Sequence, residues 1–438
     1  MFFQILRCWT SLQRSQWFEK SRLAKIQNDN LKEIINYAYH NVPFYNKLYR
    51  ARGVDLEGIK HASDLSKLPA ITRSDLQGET LEVRTAKGTD LNSCMLRTSS
   101  GTTATPVQVL EDRRSISYRD ALNLRLLWAY GTRPLHSVCK FRVSDSEGRP
   151  KARLSDVGFY GLLREHGMKS VLYDTDPAKA VAIISNWKPD IIFGMGSYLR
   201  VLAEYSNRLG IPIHCKTVIT SAEVLDDSTR AYLQEEFRAN VYDHYGMEEV
   251  GGSIAWECPT HSGYHINDES VILEFLRAGE PVAPSESGEI YITSLTRTET
   301  PIIRYATGDI ASPLVNECEC GRGLSMLKSI QGRILDFVLT KNGRFVSPAS
   351  IITKLQDVPG LQQFRVVQNQ PDMIELHVKI VAGMEDTTRR ELEQVCTGLF
   401  DDTPVRMIQV GNVNYSLGHK FRIVESSVTK RWSEAPLP

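Results

Sequence analysis

The chain has 438 residues, of which 42% are hydrophobic and 24% charged, and its Lys plus Arg and its Asp plus Glu both number 52. So even a balance leaves no bulk field for nucleic acid or an acidic lipid surface, and a small molecule becomes the expected partner. Eight cysteines over this length do not make a disulfide framework; they suit buried or ligand thiols in a reducing, cytoplasmic setting.

The opening, Met1 to Trp17, mixes Phe2, Phe3, Ile5, Leu6, Trp9 and Trp17 with Arg7 and Arg14. It lacks the apolar run and cleavage site of a signal peptide, so a helix packed on its own domain is expected. No stretch approaches the roughly 18 to 20 apolar residues of a membrane span. From Leu31 the residues Ile34, Ile35 and Ala38 recur at helical spacing until Asn41-Val42-Pro43 stops the helix, and a second helical start follows at Thr72-Arg73-Ser74-Asp75. Val107 to Leu110 reads as a strand and Tyr118 to Ala129 as a helix. Short apolar strands (Ser170 to Tyr173, Ile191 to Phe193, Thr217 to Thr220) then alternate with helical runs (Pro177 to Trp187, Ser197 to Arg208). Such alternation predicts a largely parallel sheet covered by helices.

After Gly251-Gly252 the pattern turns to hairpin-like β, as in Val271 to Phe275 and Glu289 to Ile292. From Gly332 a smaller unit begins, reading strand (Phe364 to Gln368), strand (Met373 to Ile380), helix (Thr387 to Leu399), strand (Arg406 to Val410). The expected fold is therefore α/β. A large multi-layer N-terminal domain, residues 1–332, has mostly parallel sheets and a β-rich subdomain around 253–325, and a small mobile α+β domain follows at 333–438.

One stretch concentrates the chemistry. Arg97-Thr98-Ser99-Ser100-Gly101-Thr102-Thr103-Ala104-Thr105-Pro106 packs six hydroxyl side chains about one glycine. Consecutive N–H groups and hydroxyls around a permissive glycine make a concave donor set for phosphate oxygens, although an ordinary polar turn has the same composition. No lysine lies in it, so the cation that balances a nucleotide must come from elsewhere. His244-Tyr245-Gly246-Met247-Glu248-Glu249 follows a short strand, Asn240 to Tyr242, and reads by itself as a turn offering an aromatic face and two carboxylates. In Tyr305-Ala306-Thr307-Gly308-Asp309 an aspartate follows a tight turn, where its two oxygens could accept both hydroxyls of a ribose. Gly332-Arg333 stands where the small unit starts, and Gly418-His419-Lys420 near the C-terminus offers the missing cation.

In this order the pieces resemble the adenylate-forming superfamily of acyl-CoA synthetases, peptide-synthetase adenylation domains and luciferase, across nearly the whole chain. Tyr37 to Tyr45 with Asp64-Leu65-Ser66-Lys67-Leu68-Pro69 narrows this to the phenylacetate-CoA ligase branch and its CapK-like relatives of capsular polysaccharide biosynthesis. The resemblance implies an ATP-dependent, AMP-forming ligase in which a carboxylate attacks the α-phosphorus and a nucleophile then displaces AMP. Thr98, Ser99, Ser100, Gly101, Thr102 and Thr103 would hold the leaving phosphates, with Thr102 counted among the catalytic groups. Glu249 would hold Mg²⁺, Tyr245 beside Gly246 would stack near adenine, and Ser221-Ala222-Glu223 would line that site. Asp309 with Arg333 would bind the ribose. Lys420 would bridge the carboxylate and the α-phosphate as a compact charge. Closing of the small domain around Gly332 to Asp336 would bring Lys420 in and later withdraw it.

The chain departs from this pattern in places. Ala104-Thr105 stands where relatives have Gly-Lys, Ala306 replaces an arginine, Glu248 replaces a small hydroxyl residue, and Leu335 falls where the hinge usually carries an acid. A second constellation concerns metal: Cys258, with His261 or His265, precedes Cys318-Glu319-Cys320, and three cysteines plus one histidine would close a tetrahedral zinc site. The resemblance points to His265. The expected acyl acceptor is CoA; a carrier protein or an amine, giving an amide or ester in polysaccharide or secondary-metabolite biosynthesis, is the alternative, as is a member of the fold that binds nucleotide or acyl ligand without turnover.

Overall fold

The computed structural model describes residues 1–98, 106–133, 136–142, 167–333, 336–411, 413 and 423–428. Helices open the chain: α1 (Phe2–Ser15), α2 (Lys20–Asn41), α3 (Pro43–Ala51), α4 (Arg73–Gly78) and α5 (Leu81–Arg84). Pro43 disfavours a helical Val42 and so ends α2, yet fits the first position of α3, where no N–H partner is needed. Leu31, Ile34, Ile35 and Ala38 are buried on one face of α2 as their spacing requires. Thr72 caps α4, and the Asp75 carboxylate reaches back to the Thr72 amide at 2.7 Å.

Strands β1 (Met95–Thr98) and β2 (Gln108–Glu111) pair antiparallel, and the Ser/Thr-rich stretch falls between them in sequence. Helix α6 (Arg113–Ala129) begins earlier than its leucine spacing suggests, because the Asp112 side chain accepts the Ser115 amide and caps it there. Ile5 and Leu12 of α1 pack on Ala121 and Leu122 of α6, so the N-terminal helix does lie on its own domain. Among the described residues no helix is long and apolar enough to cross a membrane.

The centre is one twelve-stranded sheet. Its elements in chain order are β3 (Val138–Arg142), β4 (Met168–Leu172), α7 (Pro177–Trp187), β5 (Ile191–Gly194), α8 (Gly196–Leu209), β6 (Thr217–Ser221), α9 (Asp227–Phe237) and β7 (Asn240–Met247). Then come β8 (Gly252–Glu257), β9 (Tyr264–Ile266), β10 (Val271–Arg277), β11 (Glu280–Pro281), β12 (Gly288–Ser294), β13 (Tyr305–Leu314) and β14 (Met326–Arg333). Strands β4-β3-β5-β6-β7 pair in parallel, and from β7 the sheet continues antiparallel through β8, β9, β14, β13, β12, β10 and β11. The α/β class expected from the sequence is borne out, with the parallel half and the β-rich half continuous in one sheet.

Alternation sorts the strand residues between two faces. Phe141, Ile192, Val218 and Val241 meet α7 to α9 through Val181, Leu199, Leu202 and Phe237. On the other face Val138, Ile191, Ile219 and Tyr242 meet Leu126 and Leu127 of α6 and Tyr130 just past its end.

The stretch from His244 is not the turn its sequence suggests after Tyr242: β7 runs on to Met247. Pairing with β8, His244 opposite Trp256 and Met247 opposite Gly252, holds it extended. Gly246 is required by the crowding of that pair: a Cβ there would stand 2.7 Å from the Gly252 oxygen and 2.9 Å from His244 Cε1. The sharp turn expected before Asp309 is likewise an irregularity inside β13, with Gly308 at φ +74°.

The C-terminal part contains β15 (Val338–Leu339), β16 (Phe345–Val346), α10 (Pro348–Gln356), β17 (Leu361–Gln370), β18 (Met373–Ile380), α11 (Glu385–Leu399), β19 (Val405–Gln409) and β20 (Val424–Ser426). Its sheet, ordered β19-β18-β17-β20, has its own core of Val366, Leu376, Leu392, Phe400 and neighbours. Sequence reading missed the β15–β16 hairpin and α10.

Candidate functional site

Strands β7, β13 and β14 bring three of the expected residues together. Asp309 lies directly opposite Arg333 in the register of β13 and β14. The Arg333 Nε donates to Asp309 Oδ1 at 3.3 Å, and the Tyr245 hydroxyl donates to Oδ2 at 2.6 Å. A carboxylate oxygen has two acceptor positions, so each Asp309 oxygen keeps one for a diol after these contacts. Tyr245 thus contributes its hydroxyl to holding Asp309, a role its sequence position did not suggest. Gly332 precedes Arg333 at φ +101°, and a Cβ there would come within 3.1 Å of Pro348 Cγ.

Glu249 sits just past β7 and is buried, whereas Glu248 is exposed. Arg73 in the first turn of α4 brings Nη1 to 3.7 Å from Glu249 Oε1. Burial, with Glu249 and Asp309 both nearby, pushes the Tyr305 phenol above its ordinary value, so both carboxylates border one region. The Thr72 cap was legible in the sequence; that it aims Arg73 at Glu249 was not.

Thr98 ends β1 opposite Gln108. Ser99, Ser100, Gly101, Thr102, Thr103, Ala104 and Thr105 lie outside the described residues, as do Ile334, Leu335, Gly418, His419 and Lys420. At the foot of the hairpin stands a charge cluster missed by sequence reading. Glu111 of β2 receives Arg97 Nε at 2.7 Å on Oε2 and Arg297 Nη2 at 2.8 Å on Oε1, while Arg119 also binds Oε2. Burial would raise this carboxyl, but Arg119, Arg297 and Arg97 outweigh it and hold it at about 2. Arg297 also donates to the backbone oxygens of Glu248 and Glu249 at 3.2 and 3.0 Å, so it ties the hairpin to the end of β7.

Ser221 ends β6 and Ala222 and Glu223 follow it, with Ala222 held at φ +75°, a conformation that costs a non-glycine residue about 1 kcal/mol. Ser221 Oγ lies 3.2 Å from His244 Nδ1, and His244 Nε2 lies 3.0 Å from Ser253 Oγ. Burial pushes His244 down to about 3, which keeps the imidazole neutral. Glu223 accepts the Ser197 amide and hydroxyl at 3.1 and 2.8 Å near the start of α8, so its carboxylate is used in fixing that helix against the loop.

The sulfur-rich residues also converge. Cys258 follows β8, His265 is in β9, and Cys318 and Cys320 lie between β13 and β14. Pairing of β9 with both β8 and β14, which sets His265 opposite Trp256 and Met326, draws the three segments together. The four ligand atoms lie within 4.8 Å of one another, with Cys258 Sγ to Cys318 Sγ at 3.5 Å and Cys320 Sγ to His265 Nε2 at 3.2 Å. A tetrahedral zinc with Zn–S bonds near 2.3 Å spaces its sulfurs about 3.8 Å apart, so the donor set fits that ion. His261 instead places Nδ1 2.9 Å from Glu257 Oε1.

A twelve-stranded mixed sheet followed by a separate C-terminal α+β unit is the architecture that holds these residues. No family model matches the chain. It is 26% identical to a phenylacetate-coenzyme A ligase of Thermus thermophilus over 351 residues, 78% of this chain and 76% of that protein. To the Escherichia coli phenylacetate-coenzyme A ligase it is 26% identical over 427 residues, 92% of this chain and 94% of the relative. A crystal structure of 2-hydroxyisobutyryl-CoA ligase in the postadenylation state superposes with a TM-score of 0.81 at 19% identity, covering 95% of this chain and 92% of that one. The chain is thus similar in sequence to phenylacetate-coenzyme A ligases and in fold to an acyl-CoA ligase, in line with the resemblance of its motifs.

Proposed function

We propose that this protein is an ATP-dependent, AMP-forming carboxylic acid ligase that makes an acyl-adenylate and transfers the acyl group to the thiol of CoA. The observation that carries the site is the Asp309 carboxylate, fixed between Tyr245 and Arg333 with an acceptor position left on each oxygen. In the first half-reaction a substrate carboxylate oxygen attacks the α-phosphorus and pyrophosphate leaves. In the second, a thiol sulfur attacks the acyl carbonyl and AMP leaves. Asp309 would hold the ribose hydroxyls, Tyr245 and the Ser221-Ala222-Glu223 loop would border the adenine, and Thr98 to Thr103 would donate to the leaving phosphates. Positioning and charge neutralisation dominate such a transfer. Mg²⁺ would supply part of that neutralisation, with Glu249 as its protein ligand and Arg73 setting the carboxylate's direction.

Lys420 would neutralise charge as the carboxylate meets the α-phosphate. The separate core of the C-terminal sheet supports a division into units at 1–332 and 333–438, the smaller one alternating between a position that delivers Lys420 and one that admits the thiol. Cys258, His265, Cys318 and Cys320 would hold a structural zinc, since four protein ligands leave no place for water. Thiols this close without a disulfide suit a cytoplasmic protein.

Acid-dependent ATP–pyrophosphate exchange across aryl, fatty, hydroxy and dicarboxylic acids tests the first step, and CoA-dependent AMP release tests the second. Lys420→Ala should lower exchange by on the order of 10² to 10³ while nucleotide binding remains, as for other single preorganised charge donors. Nucleotide binding without exchange for any acid in the wild-type protein would make the chain a binding protein instead. Exchange followed by acyl transfer to amines but not to CoA would correct the acceptor.

A further inference from the structure

On the α6-facing side of the parallel strands, an apolar layer gives way to polar groups toward the strand ends. Val138, Ile191, Ile219 and Tyr242 are packed under α6. One step further along β3 stands Lys140, in register with Phe193 of β5. Its Nζ lies 4.8 Å from the centre of the Phe193 ring, and that ring lies 5.9 Å from the His244 imidazole at an edge-on angle of 61°. His244 in turn meets Ser221. A lysine, an aromatic ring, a neutral imidazole and a hydroxyl therefore follow one another along this face, ending at the loop proposed to border the adenine.

Lys140 is unlike the other cations here. Arg97, Arg119 and Arg297 are committed to Glu111, whereas Lys140 has no hydrogen bond or ion pair among the described residues, only the Phe193 ring. Its side chain is exposed, yet enough protein surrounds it that burial pushes the ammonium down to about 8, with Arg142, Arg119 and Arg97 adding to the effect and Glu248 opposing it. The ammonium stands exposed beside the half-buried Phe193 ring, open to a ligand. Such a group gains most from a ligand oxyanion, which restores the lost solvation and forms a charge-assisted hydrogen bond.

We infer that Lys140 recognises a second anionic group on the acyl substrate, so that the acid this protein activates is a dicarboxylic acid or one carrying an equivalent oxyanion. This rests on the ligase reading above. The reacting carboxylate would lie toward the phosphates, the acyl chain would run along Phe193 and His244, and the distal oxyanion would meet the Lys140 ammonium. Ser221 contributes a hydroxyl along the chain without adding charge, held by the neutral His244 whose two nitrogens are engaged by Ser221 and Ser253.

The test uses matched pairs that differ only in the distal group: succinate against butyrate, adipate against hexanoate, and 4-carboxyphenylacetate against phenylacetate. Exchange is measured at saturating ATP, and binding by calorimetry with no nucleotide turnover required. One charge-assisted contact predicts that the favoured diacid exceeds its partner by on the order of 10- to 100-fold in kcat/KM or affinity. In Lys140→Met that ratio should fall to about one, and Lys140→Arg should restore part of it. No preference for any diacid in the wild-type protein, or a preference that survives Lys140→Met, overturns the assignment. A rise in KM for ATP in Lys140→Met with the acid ratio intact also overturns it and assigns the amine to the phosphates. Diacid-selective binding that depends on Lys140 but is accompanied by no exchange supports the site and sinks the ligase reading instead.

Discussion

The cluster around Glu111 and the cluster around Cys258 are both assembled from distant parts of the chain, yet only one of them is completed by its own atoms. Around Glu111 each carboxylate oxygen is engaged by guanidinium nitrogens of Arg97, Arg119 or Arg297. Around Cys258 three sulfurs and an imidazole crowd within 4.8 Å, where weak thiol hydrogen bonds are the alternative to a shared cation. The first is a charge network that braces the Ser/Thr-rich hairpin against the end of β7. The second has the donor chemistry of a site completed from outside. A buried polar group thus signals function only when its partners within the fold do not already account for it.

The largest effect should come from breaking the completed network. Glu111→Gln leaves three guanidiniums without their anion in a site where the Glu111 side chain is only 1% exposed, and removal of one partner from such a buried set costs about 3 to 5 kcal/mol. Urea unfolding at neutral pH measures it. The pH dependence has a definite sign. The folded carboxyl is depressed from 4.5 to about 2, so its stabilisation is fully present above pH 4.5 and is lost as pH falls toward 2. The stability gap between wild type and Glu111→Gln should narrow across that window. A gap that stays constant through it means that Glu111 does not carry the network's charge.

The cluster around Cys258 should respond to metal rather than to acid alone. Protein purified without chelator is expected to carry about one zinc per chain, and binding at a hundred times the dissociation constant stabilises the folded form by about 2.7 kcal/mol. Chelation, or Cys318→Ser, should therefore lower the melting temperature, and His261→Ala should leave the zinc content unchanged because that ring faces Glu257. Elemental analysis that finds no zinc would return the four residues to the class of packed thiols.

The contrast also explains what could be read from the sequence. Cys258, His265, Cys318 and Cys320 were legible because soft ligands are rare enough for their types to be informative, and Asp309 with Arg333 because each sits in a recognisable short pattern. The Glu111 network was not legible: Arg97 lies 14 residues from Glu111 and Arg297 lies 186 away, and nothing local marks an ordinary arginine as one that will be buried. Lys140 was hidden for the same reason, since its importance lies in the register that sets it beside Phe193. The continuation of β7 was misjudged because Gly246 suggests a turn, whereas here a tight strand crossing excludes any Cβ. Helices and parallel strands were legible because burial on one face imposes its period on the sequence, and the hairpin β15–β16 is too short to show one.

The smallest effect separates bracing from bulk stability. Arg97 immediately precedes Thr98, at the base of the stretch proposed to hold the phosphates, and its Nε shares Glu111 Oε2 with Arg119. Arg97→Lys keeps the charge but removes the planar fork, and Arg119 and Arg297 still neutralise Glu111, so the loss of stability should stay near 1 kcal/mol or below. If the network serves only the fold, pyrophosphate exchange should change no more than the stability does. If it fixes the hairpin from which the phosphate-binding stretch extends, the KM for ATP should rise several-fold while the KM for the acid does not, because a small misplacement of donor groups is expensive in a transfer that depends on positioning. An equal rise in both constants, in a variant whose urea transition is unchanged, would remove Arg97 from the positioning of the loop and leave Glu111 as a purely structural anchor.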